Sequence, residues 1–341
     1  MTQENKNILI SLLKQYHELG ISDQIDYDKF YLYSIITHST AIEGSTVTEV
    51  EAQLLFDEGI TSSKRTMMEQ MMNLDLKVAY EYGKQWILRH EPITVDWLIT
   101  LASKVMARTG GEYHSPGGDF DASKGELRKL NVTAGMGGKS YMSYLKVPMK
   151  LQAFCDELNR RRRAIDSTDI AAIYDLSFWA HFELVTIHPW ADGNGRTCRL
   201  LMNLLQMEYG VLPTKVLKED KAEYIQALID TRAEENIEIF LNCMTALHCK
   251  HIQQDINNYS ESVGDKIGDK SSQTTQFGDK KTQILSFIAD NPSVKASVIA
   301  DYIGLKASRT RDYLTELVRE GKVVAEGANK NRTYRIANEI N

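Results

Sequence analysis

Residues 188–199 read HPWADGNGRTCR. Twelve positions hold a histidine, a carboxylate, two glycines flanking an asparagine, and two arginines. Strongly apolar segments lie on both sides. Before it, IAAIYDLSFWAHFELVTI (residues 170–187) reads as a helix capped by Thr168-Asp169. That helix stops at His188-Pro189, because the residue before a proline avoids the helical region. A second apolar helix starts inside the dodecapeptide, covers about 196–208, and stops at Gly210. The dodecapeptide is therefore a loop between two core helices, and a mainly α fold follows.

The loop has the makings of an anion site. Asp-Gly-Asn-Gly-Arg opens a helix, so its first main-chain N–H groups lack helical acceptors. The glycines permit the positive-φ path that turns those donors toward one point, and the helix dipole adds to the attraction for phosphate. Arg196 and Arg199 stand three apart at the start of the helix and can grip one polyanion. Asp192 would repel phosphate unless a divalent cation lies between them, and magnesium commonly takes one or two carboxylates plus substrate phosphates. His188, with an ordinary pKa of ~6.5, suits proton abstraction near neutral pH. A base, a metal carboxylate and a phosphate nest together fit phosphoryl or nucleotidyl transfer to a hydroxyl. Zinc bound by His181, His188 and Asp192 is the weaker alternative, since the spacing lacks the i, i+4 pair of a helical zinc site.

Elsewhere helical periodicity dominates. Ile8, Leu12, Leu13 and Tyr16 share a face, and residues 67–86 form a Met-rich helix whose methionines read as core filler. Pro92 opens a helix to about Met106, and another begins near Pro148 with LQAFCDELNRRRRA, its four arginines a solvated helix end. Residues 109–125 are glycine-dense and read as loop. LRKLNVTAG and YMSYLKV read as two strands of a hairpin around GMGGKS. Further helices cover about 219–231 and 236–256.

The chain has 341 residues and a net charge of −6, which disfavours a general polyanion binder and favours more than one domain at ~100–200 residues each. No run reaches the ~18 consecutive apolar residues of a membrane span, so no membrane contact is expected. MTQENKNILISLLKQYHELG lacks the pattern of a secretion signal. Cys155, Cys198, Cys243 and Cys249 form no CxxC pair, and reduced thiols in the cytoplasm are expected.

HPWADGNGRTCR resembles the signature HPFx[D/E]GNGRxxR of the Fic-domain family, with Trp190 in place of the usual phenylalanine. The resemblance implies an all-helical core with a β-hairpin flap, and transfer of AMP from ATP to a Ser, Thr or Tyr hydroxyl of a target protein. It implies His188 as the base, Asp192 as the Mg²⁺ ligand, and Gly193, Asn194, Gly195 and Arg196 around the phosphates. Arg199 would grip the γ-phosphate and Tyr224 would line the adenine pocket. The target would dock on a flap at about 130–144, by adding a strand to its edge.

HSTAIEGS, residues 38–45, by itself predicts a helix ending near Gly44. Many Fic proteins carry an inhibitory helix marked [S/T]xxxE[G/N], and Ser39, Glu43 and Gly44 match it. The resemblance implies that Glu43 pairs bidentately with Arg199 and takes the arginine that ATP needs. In some relatives that glutamate instead positions a water that removes AMP, so de-AMPylation is the alternative reaction.

Residues 257–279 are poor in large apolar side chains and read as a linker. Past them, three helical patterns and a hairpin around Gly-Ala-Asn-Lys-Asn suggest a winged helix-turn-helix domain. Residues 280–341 hold eleven Lys/Arg against seven Asp/Glu, and Ser308, Arg309, Thr310 and Arg311 start the helix that would meet DNA, with Lys330 and Arg332 in the wing. The organisation read from sequence is 1–89 helical region with the inhibitory motif, 90–256 catalytic core, 257–279 linker and 280–341 winged helix, which would contact DNA or protein. The runner-up function is a DNA-binding regulator whose helical domain senses a nucleotide without catalysis. The oligomeric state, a homodimer included, stays open at this stage.

Overall fold

A computed structural model describes residues 1–24, 26–133 and 140–268, and residues 284–337 apart from 286, 290, 292, 304–306, 320 and 328–331. It divides into two units, Met1–Gly264 and Asp265–Asn341.

The first unit is helical. It contains α1 (Gln3–Glu18), α2 (Tyr27–Ile42), α3 (Glu49–Glu58), α4 (Met67–Ile87) and α5 (Val95–Val105). Then come α6 (Val147–Ala164), α7 (Ile170–Ile187), α8 (Asn194–Glu208) and α9 (Lys221–Glu234), and α10 (Ile237–Gly268) begins in it. Helix starts are written in the sequence. Thr48 with Glu51, and Thr66 with Glu69, form reciprocal capping boxes, and the Asp169 side chain accepts from the Ala172 N–H.

The α7–α8 pair forms the centre, with α4 and α5 packed on α8 and α6 on α7. Helix α7 is apolar on all sides because it is surrounded by protein; by length and composition it would pass for a membrane span, yet two thirds of it is buried inside the fold. Buried Ile173, Leu184 and Leu204 each contribute roughly 1.5–3 kcal/mol relative to exposure. Helices α4 and α8 approach closely at Gly83, where a Cβ would stand 2.3 Å from Leu204 Cδ1.

Several local expectations are corrected. The buried face of α1 carries Leu9 and Tyr16, while Ile8 is 44% exposed; with apolar residues at 8, 9, 10, 12 and 13, periodicity alone does not single out one stripe. Met67 and Met68 are exposed, at the first turn of α4, and the buried face of that helix is partly polar, including Gln70, Asn73 and Asp75. Residues 109–125 contain two short antiparallel strands, β1 (Glu112–Tyr113) and β2 (Phe120–Asp121). Of the hairpin expected at 130–144, the described residues show one antiparallel bridge, Thr133 to Ser140, with Tyr141 N–H donating to Val132 C=O; residues 134–139 lie outside the described residues. YMSYLKV does not continue as a strand, since Tyr144–Lys146 is a 3₁₀ turn that leads into α6 with Pro148 in its first turn. Arg162 is not solvated: it is buried and paired with Glu208, while Arg160 and Arg161 pair with Glu157 on the surface. Helix α10 runs on to Gly268, twelve residues past 256, because a polar sequence that cannot pack can still propagate a formed helix. Residues 269–279 of the expected linker lie outside the described residues.

In the second unit α11 (Ala296–Ile303) and α12 (Ala307–Arg319) precede β4 (Val323–Glu326) and β5 (Thr333–Ile336). A strand absent from the sequence reading, β3 (Val294–Lys295), pairs with β5, giving an antiparallel sheet of order β3-β5-β4. Ile284, Ile288, Ile299, Leu314 and Leu317 form its core. Thr310 is fully buried and so cannot face a duplex, while Arg311 and Arg332 are exposed. Lys330 and the side chains of Ser308 and Arg309 lie outside the described residues.

Candidate functional site

His188 ends α7 with φ +52 and Gly193 starts α8 with φ +79. Between them the chain makes a tight bend fastened from inside. The Asn194 side chain accepts from Trp190 N–H at 3.1 Å and donates to Trp190 C=O at 2.9 Å, while the buried indole donates to Gly125 C=O at 2.9 Å. The Asn194 side chain is therefore a clasp of the loop, and only its main chain is available to an anion. Gly193 is required twice over, by its φ and because a Cβ would stand 2.7 Å from Met106 Sδ.

The first intrahelical bond of α8 runs from Thr197 N–H to Gly193 C=O at 2.9 Å. The amides of Asn194, Gly195 and Arg196 precede it and form the positive end of the helix. Helix α8 thus starts at Asn194, two residues earlier than expected, which brings all three amides into the nest. Arg196 is buried. Its Nη2 meets Met106 Sδ at 3.1 Å and stands 3.6 Å from Asp192 Oδ1, while Nε and Nη1 are buried with no partner. Burial lowers the pKa of this guanidinium. Unpaired buried donors on a cation, beside a helix N-terminus, are what an absent polyanion would satisfy.

Asp192 is 58% exposed at the mouth, with Oδ1 accepting from Gly193 N–H at 2.6 Å. Among the described residues no group of three His, Cys, Asp or Glu could hold a metal unaided. One exposed carboxylate facing a phosphate nest nevertheless suits Mg²⁺, which takes its remaining ligands from phosphate and water.

The end of α2, with Ser39 and Glu43, meets this site directly. Arg199 is buried, and its fork is divided: Nε donates to Ser39 Oγ at 2.9 Å, and Nη2 donates to Ser39 C=O at 2.9 Å and to Glu43 Oε1 at 2.6 Å. The expected bidentate pair is thus corrected. Glu43 meets Nη2 alone, which it shares with Ser39 C=O, while Nε goes to Ser39 Oγ one turn earlier on α2. Burial raises the Glu43 pKa, but Arg199 more than offsets this and the carboxyl is held below its ordinary range. Burial disfavours the Arg199 charge, and Glu43 together with Tyr224 outweighs it, so that pKa is raised. Gly44 follows with φ +106. Lys221 Nζ donates to Ile42 C=O at 2.7 Å, and Thr40 Oγ1 donates to Asn73 Oδ1 at 3.0 Å, fixing the end of α2.

His188 stacks on Tyr141, ring centroids 3.8 Å apart, and the Arg232 guanidinium lies over the Tyr141 ring at 5.2 Å. Burial lowers the His188 pKa to about 4, opposed in part by the backbone at Val185, so the imidazole is neutral and able to accept a proton at pH 7. Tyr224 on α9 is buried beside the site, its hydroxyl 2.9 Å from His181 Nε2 and hydrogen-bonded with Arg199, and its ring against Phe240.

Arg128, Tyr141, Arg232 and Met106 are site residues that sequence reasoning missed. Arg128 is a single arginine in LRKLNV, and nothing in its spacing sets it apart from Lys129 beside it.

The class defined by this arrangement is a mainly helical domain with a cluster of open amides at the bend between its two central helices. Residues 92–206 match the Fic/DOC family. Residues 280–331 match a second family, FaeA-like protein. The chain is 28% identical over 204 residues to protein adenylyltransferase fic-1 of Caenorhabditis elegans, covering 59% of this chain and 36% of that protein. It is 27% identical over 203 residues to protein adenylyltransferase Fic of Drosophila erecta, covering 57% and 36%. The chain thus spans about a third of the length of these relatives. Among solved structures, a Fic-domain signaling protein of Bacteroides thetaiotaomicron superposes with a TM-score of 0.61 at 22% identity, over 74% of this chain and 97% of that one. A Fic family protein of Desulfovibrio desulfuricans G20 superposes with a TM-score of 0.61 at 16% identity, over 100% and 98%. These likenesses are to the fold.

Proposed function

We propose that the protein transfers AMP from ATP to a Ser, Thr or Tyr hydroxyl of a target protein, and that Glu43 holds it in a restrained state. The observation that carries this is the pairing of unsatisfied donors on buried Arg196 with a neutral His188 on one loop. The triphosphate lies along the amides of Asn194, Gly195 and Arg196, with Arg199 on the γ-phosphate once Glu43 has left it. Asp192 would hold Mg²⁺, which when bound neutralises phosphate charge and helps the pyrophosphate leave. His188 takes the proton of the target hydroxyl. The freed oxygen attacks the α-phosphorus, a new P–O bond forms, and the bond to the β-phosphate breaks with release of pyrophosphate. The extended target segment pairs with the chain edge around Thr133 and Ser140. Removal of AMP by a water positioned by Glu43 is the alternative reaction of the same site.

The second unit is proposed to be a winged helix that contacts DNA, supported by its helix pair, the following hairpin and the match of residues 280–331. Binding of the full chain to duplex DNA that weakens steeply with salt supports that role, and salt-insensitive or absent binding removes it. A cytoplasmic location accompanies this proposal.

The test of the enzyme against a nucleotide-sensing regulator is His188→Ala in a Glu43→Gly background. Retention of ATP binding with loss of AMP transfer supports the enzyme. Equal transfer with and without His188 contradicts it.

A further inference from the structure

Arg128 is 1% exposed, and among the described residues no carboxylate lies within ion-pairing distance of it. All three nitrogens of its guanidinium donate to main-chain carbonyls: Nε to His188 at 2.7 Å, Nη1 to Leu130 at 2.8 Å and Nη2 to Met142 at 2.7 Å. Its own N–H donates to Pro189 C=O at 3.0 Å. Burying a cation without a counter-charge is costly, and burial lowers the pKa of this one. Nothing about core packing asks for an arginine here, whereas the three acceptors have a common meaning. Leu130 and Met142 stand on the two legs that flank the Thr133–Ser140 bridge, and His188 carries the proposed base. Met142 follows Tyr141, whose ring covers the His188 imidazole.

We propose that Arg128 is a positioning residue for the transfer reaction, tying both legs of the target-docking flap to the His188 backbone so that docking geometry and the base are set together. This rests on the AMP-transfer function proposed above. One rigid fork sets the separation of the two legs and the height of His188 between them. The Tyr141–His188 stack follows from that setting, because the Met142 carbonyl is one residue away. Lysine offers a single ammonium centre and cannot reach three divergent carbonyls with the same geometry. Misplacement of a reacting group by about 1 Å costs on the order of a hundredfold in rate.

The experiment compares Glu43→Gly alone with the same protein carrying Arg128→Lys or Arg128→Met. Self-incorporation of AMP from labelled ATP, ATP dissociation constants, and the rate of carbethoxylation of individual histidines by diethylpyrocarbonate are measured on the full chain. Expected is a fall in incorporation on the order of a hundredfold for both variants, with ATP affinity within about twofold. His188 should be modified about tenfold faster as the flap opens from it, while core residues His181 and His248 remain slow. Unchanged His188 modification in Arg128→Met overturns the proposal. So does faster modification of all three histidines in both variants, which makes Arg128 a residue of the fold as a whole. If Glu43→Gly alone incorporates no AMP, the transfer function fails, and the histidine rates still decide whether Arg128 sets the flap on His188.

Discussion

Glu43 and Gly195 are in direct apposition: a Cβ built on Gly195 would stand 2.5 Å from Glu43 Oε1 and 3.0 Å from Arg199 Nη1. The carboxylate at the end of α2 therefore stands on the backbone of the phosphate nest, besides holding Arg199. Negative charge is already in the place where phosphate oxygens would gather, and it is tied there by an ion pair of 2.6 Å. On the function proposed above, Glu43 and the triphosphate would compete for one place.

Loosening that apposition should be graded. Ser39→Ala removes the acceptor for Arg199 Nε and leaves Glu43 in place. A hydrogen bond to a charged group is worth about 1.5–3 kcal/mol. The variant should incorporate AMP faster than wild type and slower than Glu43→Gly. Initial rates with labelled ATP measure the order, and a Ser39→Ala rate equal to wild type would show that Ser39 does not share in the restraint.

Arg196→Met should weaken ATP binding at least about tenfold in the Glu43→Gly background, since a charge-assisted phosphate contact is worth ~1.5–3 kcal/mol. It should do so with little loss of stability, because two of its buried guanidinium nitrogens have no partner within the protein. Calorimetric titration and thermal unfolding separate the two effects. Undiminished ATP affinity would place the triphosphate elsewhere.

The pH dependence of single-turnover transfer follows from His188. Its pKa is lowered to about 4, so the imidazole is neutral above that value and gains a proton only as pH falls through it. Transfer by Glu43→Gly should not show an acid limb near the ordinary histidine value of ~6.5. A limb centred there would mean that the base is solvated when it acts, and that Tyr141 leaves it beforehand.

Away from the site, Arg162 and Glu208 form a buried pair through two hydrogen bonds, Nε to Oε2 at 3.0 Å and Nη2 to Oε1 at 2.5 Å. Removing one partner leaves the other charge buried. Arg162→Met should lower stability by ~3–5 kcal/mol, and the double variant with Glu208→Gln should recover part of it. Denaturant unfolding of the four proteins closes the cycle, and a loss below about 1 kcal/mol would show that water reaches Glu208.

Much of this architecture is legible in the residues because it is local. Asp169 caps α7 where a side chain meets the N–H three positions on, and Pro189 stops that helix by a clash between neighbours. The glycines at 193 and 195 announce a bend with open amides. What is hidden depends on partners far along the chain. Arg128 looks like surface charge until Leu130, Met142 and His188 converge on it. Arg162 looks like one of four equivalent arginines until Glu208 arrives from α8. Met67 and Met68 look like core because their side chains are apolar, yet they are exposed in the first turn of α4.

The central claim is that the bend at 188–199 holds a triphosphate and passes its α-phosphate, as AMP, to a hydroxyl. Incubating Glu43→Gly with ATP labelled at either the α- or the γ-phosphate, beside wild type and the same variant lacking His188, tests it most directly. Label should enter protein from the α-position only, at least about tenfold faster in Glu43→Gly than in wild type, and vanish with His188. Label entering from the γ-position, or equal α-label with and without Glu43, would contradict it.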